Sequence, residues 1–214
     1  MIVLSDNDVI LKLAQCDLLK YLPEIIGRNP SDIFIGPNTR FQLLLPKRPE
    51  KACARCGSEE VYQNLSDFLS TVKEIPEIQD ESLFSLLGGI PHIDSGEQLL
   101  LASCMENAGS LFMTGDKRCL QAVMDNQSIV ARVHSRLIDS VVTFESALLL
   151  SVACLGFETV YKQLITNPKP DAMLRLAIRD SRQQSVCGCL LSYTRDYYDY
   201  LAFKERLPNR EVYG

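Results

Sequence analysis

An α/β fold built on a parallel sheet is predicted by three features of the sequence. Short apolar runs alternate with stretches of helical spacing through residues 1–143. Two of these runs are followed, within two positions, by an aspartate. The composition, 46% hydrophobic and 23% charged, offers enough apolar surface to offset the entropy of ordering the chain.

The first run, Ile2-Val3-Leu4, ends at Ser5-Asp6 and reads as a buried strand. Apolar residues at Val9, Ile10, Leu13, Ala14, Leu18 and Leu19 predict a helix over 9–22, punctuated by Pro23 and Gly27. Ile33-Phe34-Ile35 is a second strand that turns at Gly36-Pro37. Residues 46–57 read as a polar, basic loop, 59–73 as a helix, and 76–91 as a mixed segment turning at Gly88-Gly89. The strongest helix runs from Glu97 to Asn107. Apolar residues surround it, so burial on most faces is expected, with Gly109 as a cap. Leu111-Phe112-Met113-Thr114 is a further strand, followed at once by Gly115-Asp116 and a helix over 117–124. Ile129 to Val133 is predicted as another strand, ending near His134. From Phe144 the spacing is helical almost to the end. Pro168 and Pro170 interrupt it, Asp171 caps a helix through Ile178, and 187–203 is a last helical stretch. The chain divides into an α/β core at 1–143 and a helical continuation at 144–214 packed on that core.

Composition narrows the function classes. No apolar run reaches the roughly 18 residues of a membrane span. The longest, Ala147 to Gly156, suits a core helix. The N-terminus has neither the basic start nor the small-residue cleavage site of a signal peptide, so the cytoplasm is the expected compartment. Of the eight cysteines, Cys16, Cys104, Cys119 and Cys154 sit in apolar patterns and read as buried thiols. Cys53 with Cys56 and Cys187 with Cys189 form two close pairs. Either a zinc site using both or free thiols fits them. Net charge is −5, and residues 57–116 hold eleven acids against one base, Lys73. An acidic centre of this kind solvates a surface or gathers a divalent cation.

Three of the acids stand where chemistry could use them. Asp6 and Asp116 each follow a strand, and the carboxyl ends of parallel strands form the ligand crevice of an open sheet. Glu97 opens the buried helix that leads into the second of those strands. Such carboxylates repel one another unless a cation is present, and Mg²⁺ or Mn²⁺ takes all-oxygen sites. Each acid also has a structural reading. Asp6 or Asp8 caps the first helix, Asp94 and Glu97 form a capping box, and Asp116 caps the helix after it.

Three segments carry a resemblance. Ile2-Val3-Leu4-Ser5-Asp6-Asn7-Asp8-Val9-Ile10 resembles the opening of PIN-domain nucleases, where an aspartate ends the first strand. Gly96-Glu97-Gln98-Leu99-Leu100-Leu101-Ala102, with four residues between Glu97 and Ala102, is similar to the G-E-x-x-x-x-x-A segment of one PIN branch, which has five, and Met113-Thr114-Gly115-Asp116-Lys117-Arg118 to its T-x-D-x-R segment. Order and spacing agree over roughly residues 1–160. The resemblance implies a three-layer sandwich around a mainly parallel sheet, and cleavage of RNA by a water that Mg²⁺ or Mn²⁺ activates. It implies metal-ligand roles for Asp6, Glu97 and Asp116, with Asp8 supplementing the site or capping the helix. Thr114 would orient Asp116 or the metal-bound water. A small antitoxin-type protein and a second copy of the chain are partners by the same analogy. Lys117 and Arg118 stand where the family often has a fourth acid, for which Asp139 and Glu145 are spatial substitutes.

Substrate contacts are expected from charge. Arg40, Lys47, Arg48, Lys51 and Arg55 make a basic segment able to meet phosphates. Arg175, Arg179 and Arg182 fall on one helical face, followed by Tyr193, Tyr197, Tyr198 and Tyr200, a combination that suits single-stranded RNA or else a solvated stripe beside packed tyrosines. His92 could approach the acids. Two other readings stay open. Asp6-Asn7-Asp8-Val9 also resembles the D-x-D-x-[TV] start of haloacid-dehalogenase-like phosphatases, with Asp6 as nucleophile, Asp8 as acid/base and Ile10 at the last motif position. Alternatively, the chain is a catalytically weak PIN-like subunit that binds RNA or protein.

Overall fold

The computed structural model describes residues 3–166 and 171–209. Ile2, Pro168 and Pro170 lie outside the described residues. Five strands form one parallel sheet: β1 (Val3–Ser5), β2 (Ile33–Ile35), β3 (Lys73–Glu74), β4 (Leu111–Thr114) and β5 (Val141–Thr143). Their spatial order is β3-β2-β1-β4-β5, so β1 is central. Helices connect them in the sequence α1 (Asn7–Gln15), α2 (Leu22–Ile25), α3 (Thr39–Leu44), α4 (Pro49–Cys56), α5 (Glu59–Thr71), α6 (Glu81–Gly88), α7 (Ser95–Glu106), α8 (Lys117–Asp125) and α9 (Ala131–Leu137). After β5 come α10 (Phe144–Leu155), α11 (Phe157–Thr166), α12 (Ala172–Ala177) and α13 (Gln183–Ser192).

Successive residues of a strand point to opposite faces, and this separates two cores. Val3, Ile33, Ile35, Leu111, Met113 and Val142 face one core, filled by α1, α2, α5, α10 and α13. Leu4, Phe112 and Val141 face the other, filled by α7, α8 and α9. The result is three layers, helices on both sides of a parallel sheet, as such sheets require. α10 is buried continuously from Phe144 to Val152 and is capped by a Thr143–Ser146 box. Beyond α13 the chain returns to the sheet. The Ala202 N–H donates to the Val141 carbonyl at 2.8 Å, and Leu201 bridges β5, so the outer strand edge is covered.

Several elements differ from the sequence expectation. Residues 129–133 are not a strand. Val130, Val133 and Leu137 are buried at helical spacing while Ile129 is exposed, and the segment enters α9. His134 therefore lies on a helix, where Nδ1 meets the Tyr200 hydroxyl at 2.6 Å. The basic 46–57 segment is mostly α4, started by Pro49 in its first turn and ended by Gly57 at φ +94°. Within 76–91, Asp80 caps α6 through the Leu83 N–H. The 9–22 helix stops at Gln15, because Asp17 adopts φ +52°, and Pro23 opens α2 instead of ending a helix. The 187–203 helix ends at Ser192 and gives way to a 3₁₀ segment over Arg195–Tyr200. β3 and β5 have only two and three residues, too few for a periodic signal.

Candidate functional site

The sheet order reverses at β1. The chain moves from β1 to β2 and β3 on one side, then returns to β4 and β5 on the other. The crevice outside the carboxyl ends of β1 and β4 is the topological switch point, where open α/β sheets bind ligands. Asp6 and Asp116 leave those two strands. The Asp6 N–H donates to the Met113 carbonyl at 2.9 Å, extending the β1–β4 pairing beyond β1 itself. The first turn of α7 brings Glu97 to the same place. Asp6, Asp8, Asp94, Glu97 and Asp116 all line one cavity of 690 Å³, together with Ser5, Asn7, Gly115 and Arg118 and, after β2, Gly36, Pro37, Asn38, Thr39 and Gln42.

Each acid has its own electrostatic setting. Burial pushes the Asp6 carboxyl above the usual range, and the nearby Asp8 charge adds to this. The backbone amides of Asp8, Gly115 and Asn7 oppose the shift without cancelling it. Glu97 is 5% exposed, and desolvation raises its pKa to about 7. The Asp94 amide pulls it down, while the charges of Asp94, Asp116 and Asp6 push it up. That mutual repulsion is the electrostatic sign of convergence. Asp116 goes the other way. Burial alone would raise it, but the side chain and amide of Arg118 together hold it below the ordinary aspartate range. Among the described residues, no Lys or Arg forms an ion pair with Asp6 or Glu97, whereas Arg118 Nη2 meets Asp116 Oδ2 at 2.8 Å.

Two of the predicted caps, at Asp94 and Asp116, are present at the same time. The Asp94 N–H donates to Glu97 Oε2 at 2.8 Å, while Asp94 Oδ1 accepts from the Gly96 and Glu97 amides, closing the capping box. Asp116 caps α8 by accepting from the Arg118 N–H at 2.7 Å. Asp6 holds the cap position of α1 with no side-chain capping bond. Thr114 is buried, and its Oγ1 accepts from the Asp116 N–H at 3.0 Å, so it fixes the turn that carries Asp116. As the side chains stand, no group of three or more His, Cys, Asp or Glu among the described residues is arranged to hold a metal ion.

Neighbouring charges are spoken for. Asp8 pairs with Lys12 at 2.8 Å, and Lys12 also meets Asp171 at 2.9 Å, which ties α1 to the cap of α12. A Cβ at Gly115 would lie 2.3 Å from Asp8 Oδ2, so a larger residue there would displace the Asp8 side chain. Glu145 is bound by Lys117 at 2.6 Å and Asp139 by Lys204 at 2.6 Å, so both substitutes for a fourth acid are already paired.

The basic residues expected to meet substrate lie elsewhere. Arg48 and Lys51, at the start of α4, and Arg179 are exposed and do not line the cavity. Arg40 and Arg55 hold backbone carbonyls, of Leu69 and Val72 and of Gln42 and Leu43 respectively. The arginine stripe does not form. α12 ends at Ala177, and Arg182 folds back onto Asp180. His92 is exposed and outside the cavity lining. Cys53 and Cys56 share α4, while Cys187 and Cys189 share α13, and all eight cysteines are free thiols. Cys154, expected inside, is only partly buried.

Sequence reasoning missed the wall formed by Asn7, Asn38, Thr39 and Gln42. The rule that gathered Asp6 and Asp116 also applies to β2, whose carboxyl end delivers Gly36-Pro37-Asn38 to the same crevice.

No family model matches this chain, and no curated protein and no solved structure matches it. Among the described residues, no helix is long and apolar enough to cross a membrane.

Proposed function

We propose that this chain is a metal-dependent endoribonuclease of PIN-domain type. The observation that carries the proposal is the sharing of one switch-point cavity by Asp6, Glu97 and Asp116, the three acids that the sequence resemblance singles out. The donor set fits the metal class, because an all-carboxylate set suits hard ions such as Mg²⁺ or Mn²⁺. Raised pKa values at Asp6 and Glu97 mark negative charge that the protein leaves uncompensated. Asp6, Glu97 and Asp116 would hold the ion, which supplies an activated water and charge stabilisation at a phosphodiester. Thr114 keeps Asp116 in place. Arg118 is the side chain that must move. It is highly exposed, and on leaving Asp116 it becomes a donor for a phosphate oxygen. A small antitoxin-type protein or a second copy of the chain would be the natural partner in this reading, by analogy alone.

Arg118 also favours a second reading, a PIN-like subunit that binds without cleaving, because it occupies an acid the metal would need. One experiment separates the two. Mn²⁺ binding is followed by calorimetry, and cleavage of a mixed-sequence RNA is followed with wild type, Asp6→Asn and Asp116→Asn, with folding checked by circular dichroism. The nuclease reading expects Mn²⁺ binding and cleavage by wild type. Either substitution should cut cleavage on the order of 10³-fold, the loss of about 4 kcal/mol of transition-state stabilisation. Equal and negligible cleavage by all three supports the binding reading. Turnover of a chromogenic phosphate ester would support the phosphatase alternative instead.

A further inference from the structure

Lys12 is a single cation held between two acids from distant parts of the chain. Its Nζ meets Asp8 Oδ2, one turn earlier on α1, at 2.8 Å, and Asp171 Oδ2, on the residue that caps α12, at 2.9 Å. The ammonium also lies 5.4 Å from the ring centroid of Phe144, which opens α10. Three helices therefore fix its place, and with a side chain only 17% exposed it is screened by solvent only in part. Asp8 in turn lines the acidic cavity, and its Oδ2 lies beside Gly115, the residue before Asp116. None of the described residues of the helical continuation lines the cavity. Through Lys12, that continuation still reaches one of the cavity's acids.

One positive charge cannot neutralise two carboxylates. The more of Lys12 that Asp171 takes, the more of the Asp8 charge faces the cavity, where it already pushes the Asp6 carboxyl upward. A divalent cation among Asp6, Glu97 and Asp116 would be attracted by that same charge. It would draw on Asp8 and leave the ammonium to Asp171. We infer that Lys12 and Asp171 tune the cation affinity of the cavity through Asp8, so that the hold on α12 and occupancy of the site strengthen each other. Lys12 is a positioning residue in this arrangement, not a ligand. The role rests on the ribonuclease reading of the cavity and gives the C-terminal continuation a part in it. By reciprocity, whatever Asp171 adds to cation binding the cation adds to the Lys12–Asp171 pair.

A double-mutant cycle on Mn²⁺ affinity tests this, with calorimetry for binding and circular dichroism for folding. Asp171→Asn keeps a capping side chain on α12 and leaves Lys12 to Asp8 alone. Mn²⁺ should then bind about twofold to fivefold more weakly. Lys12→Met uncovers the Asp8 charge and should tighten binding by about the same factor. In the Lys12→Met background, Asp171→Asn should change affinity little, because the lysine carries the effect. Hydrogen exchange followed by mass spectrometry should show Mn²⁺ slowing the α12 amides in wild type and not in Lys12→Met. Damage to the fold would weaken binding in both single variants, and that result overturns the inference. An Asp171→Asn effect that persists without Lys12 is a direct field and overturns it too, as do equal affinities across the set or α12 exchange that Mn²⁺ leaves unchanged. In each of these cases a wild type that binds Mn²⁺ keeps the nuclease reading. A wild type that binds no Mn²⁺ overturns both.

Discussion

Two sets of carboxylates border the same end of the sheet, and they are treated oppositely. Asp8, Asp171 and Glu145 each have a lysine: Lys12 bridges the first two and Lys117 holds the third. Among the described residues, Asp6 and Glu97 have none, and Asp116 has only an exposed arginine. The lysines are not loose surface charges. Lys12 lies 5.4 Å from the Phe144 ring centroid and Lys117 lies 4.8 Å from that of Tyr193, so packing fixes both. Where a charge only joins elements, the protein supplies an internal cation. At Asp6 and Glu97 it leaves the charges facing one another, which costs stability and makes sense where a ligand provides the missing positive charge.

The strongest way to break this contrast is to give Glu145 the condition of Glu97. Lys117→Met removes the cation from a glutamate whose side chain is 7% exposed. Denaturant unfolding should show a loss of about 3–5 kcal/mol, the cost of stranding a buried charge. The double variant Lys117→Met, Glu145→Gln should recover most of it. Were the single variant as stable as wild type, compensation of Glu145 would not be what distinguishes the two sets.

The reverse experiment removes the charge from the uncompensated set. The folded protein raises Glu97 from 4.5 to about 7, so between those values it holds a proton that the unfolded chain has lost. Stability contributed by this group is therefore present below pH 4.5 and declines as pH rises through about 7. Glu97→Gln removes that decline. Relative to wild type, the variant should gain up to about 3 kcal/mol between pH 4 and pH 8. Unfolding curves at the two pH values measure it, and a constant difference would show that Glu97 is not under electrostatic pressure.

How far the sequence discloses this arrangement depends on the kind of signal. Val3–Ser5, Ile33–Ile35 and Leu111–Thr114 are buried apolar strands, and their runs mark them directly. The caps at Asp94, Asp116 and Asp171 are equally visible, because capping is local chemistry. Convergence of Asp6, Glu97 and Asp116 in one cavity follows from the sheet-edge rule and needs no long-range detail. Pairings between distant positions are not legible in this way. Nothing local ties Lys12 to Asp171, Lys117 to Glu145 or Asn7 to Gln42, since packing of separate elements decides them. Arg40 and Arg55 illustrate the same limit: composition presents them as phosphate ligands, while tertiary structure uses them to satisfy carbonyls.

The smallest expected effect concerns Asp116, which stands between the two sets. Its arginine partner is neighbouring in sequence, well exposed and, among the described residues, without an aromatic ring contact, unlike Lys12 and Lys117. An exposed pair of this kind adds little to folding, so Arg118→Ala should leave the melting temperature unchanged. Its effect should appear in ligand binding. With the Arg118 side chain gone, Asp116 loses the guanidinium hydrogen bonds and charge that help hold its pKa down, keeps the cap from the amide of residue 118, and is left with less of its negative charge compensated. Mn²⁺, measured by calorimetry, should then bind roughly twofold to fivefold more tightly. Should Mn²⁺ affinity stay constant while RNA affinity falls, Arg118 would belong to the phosphate side of the site, and Asp116 would already be free whenever the cation binds.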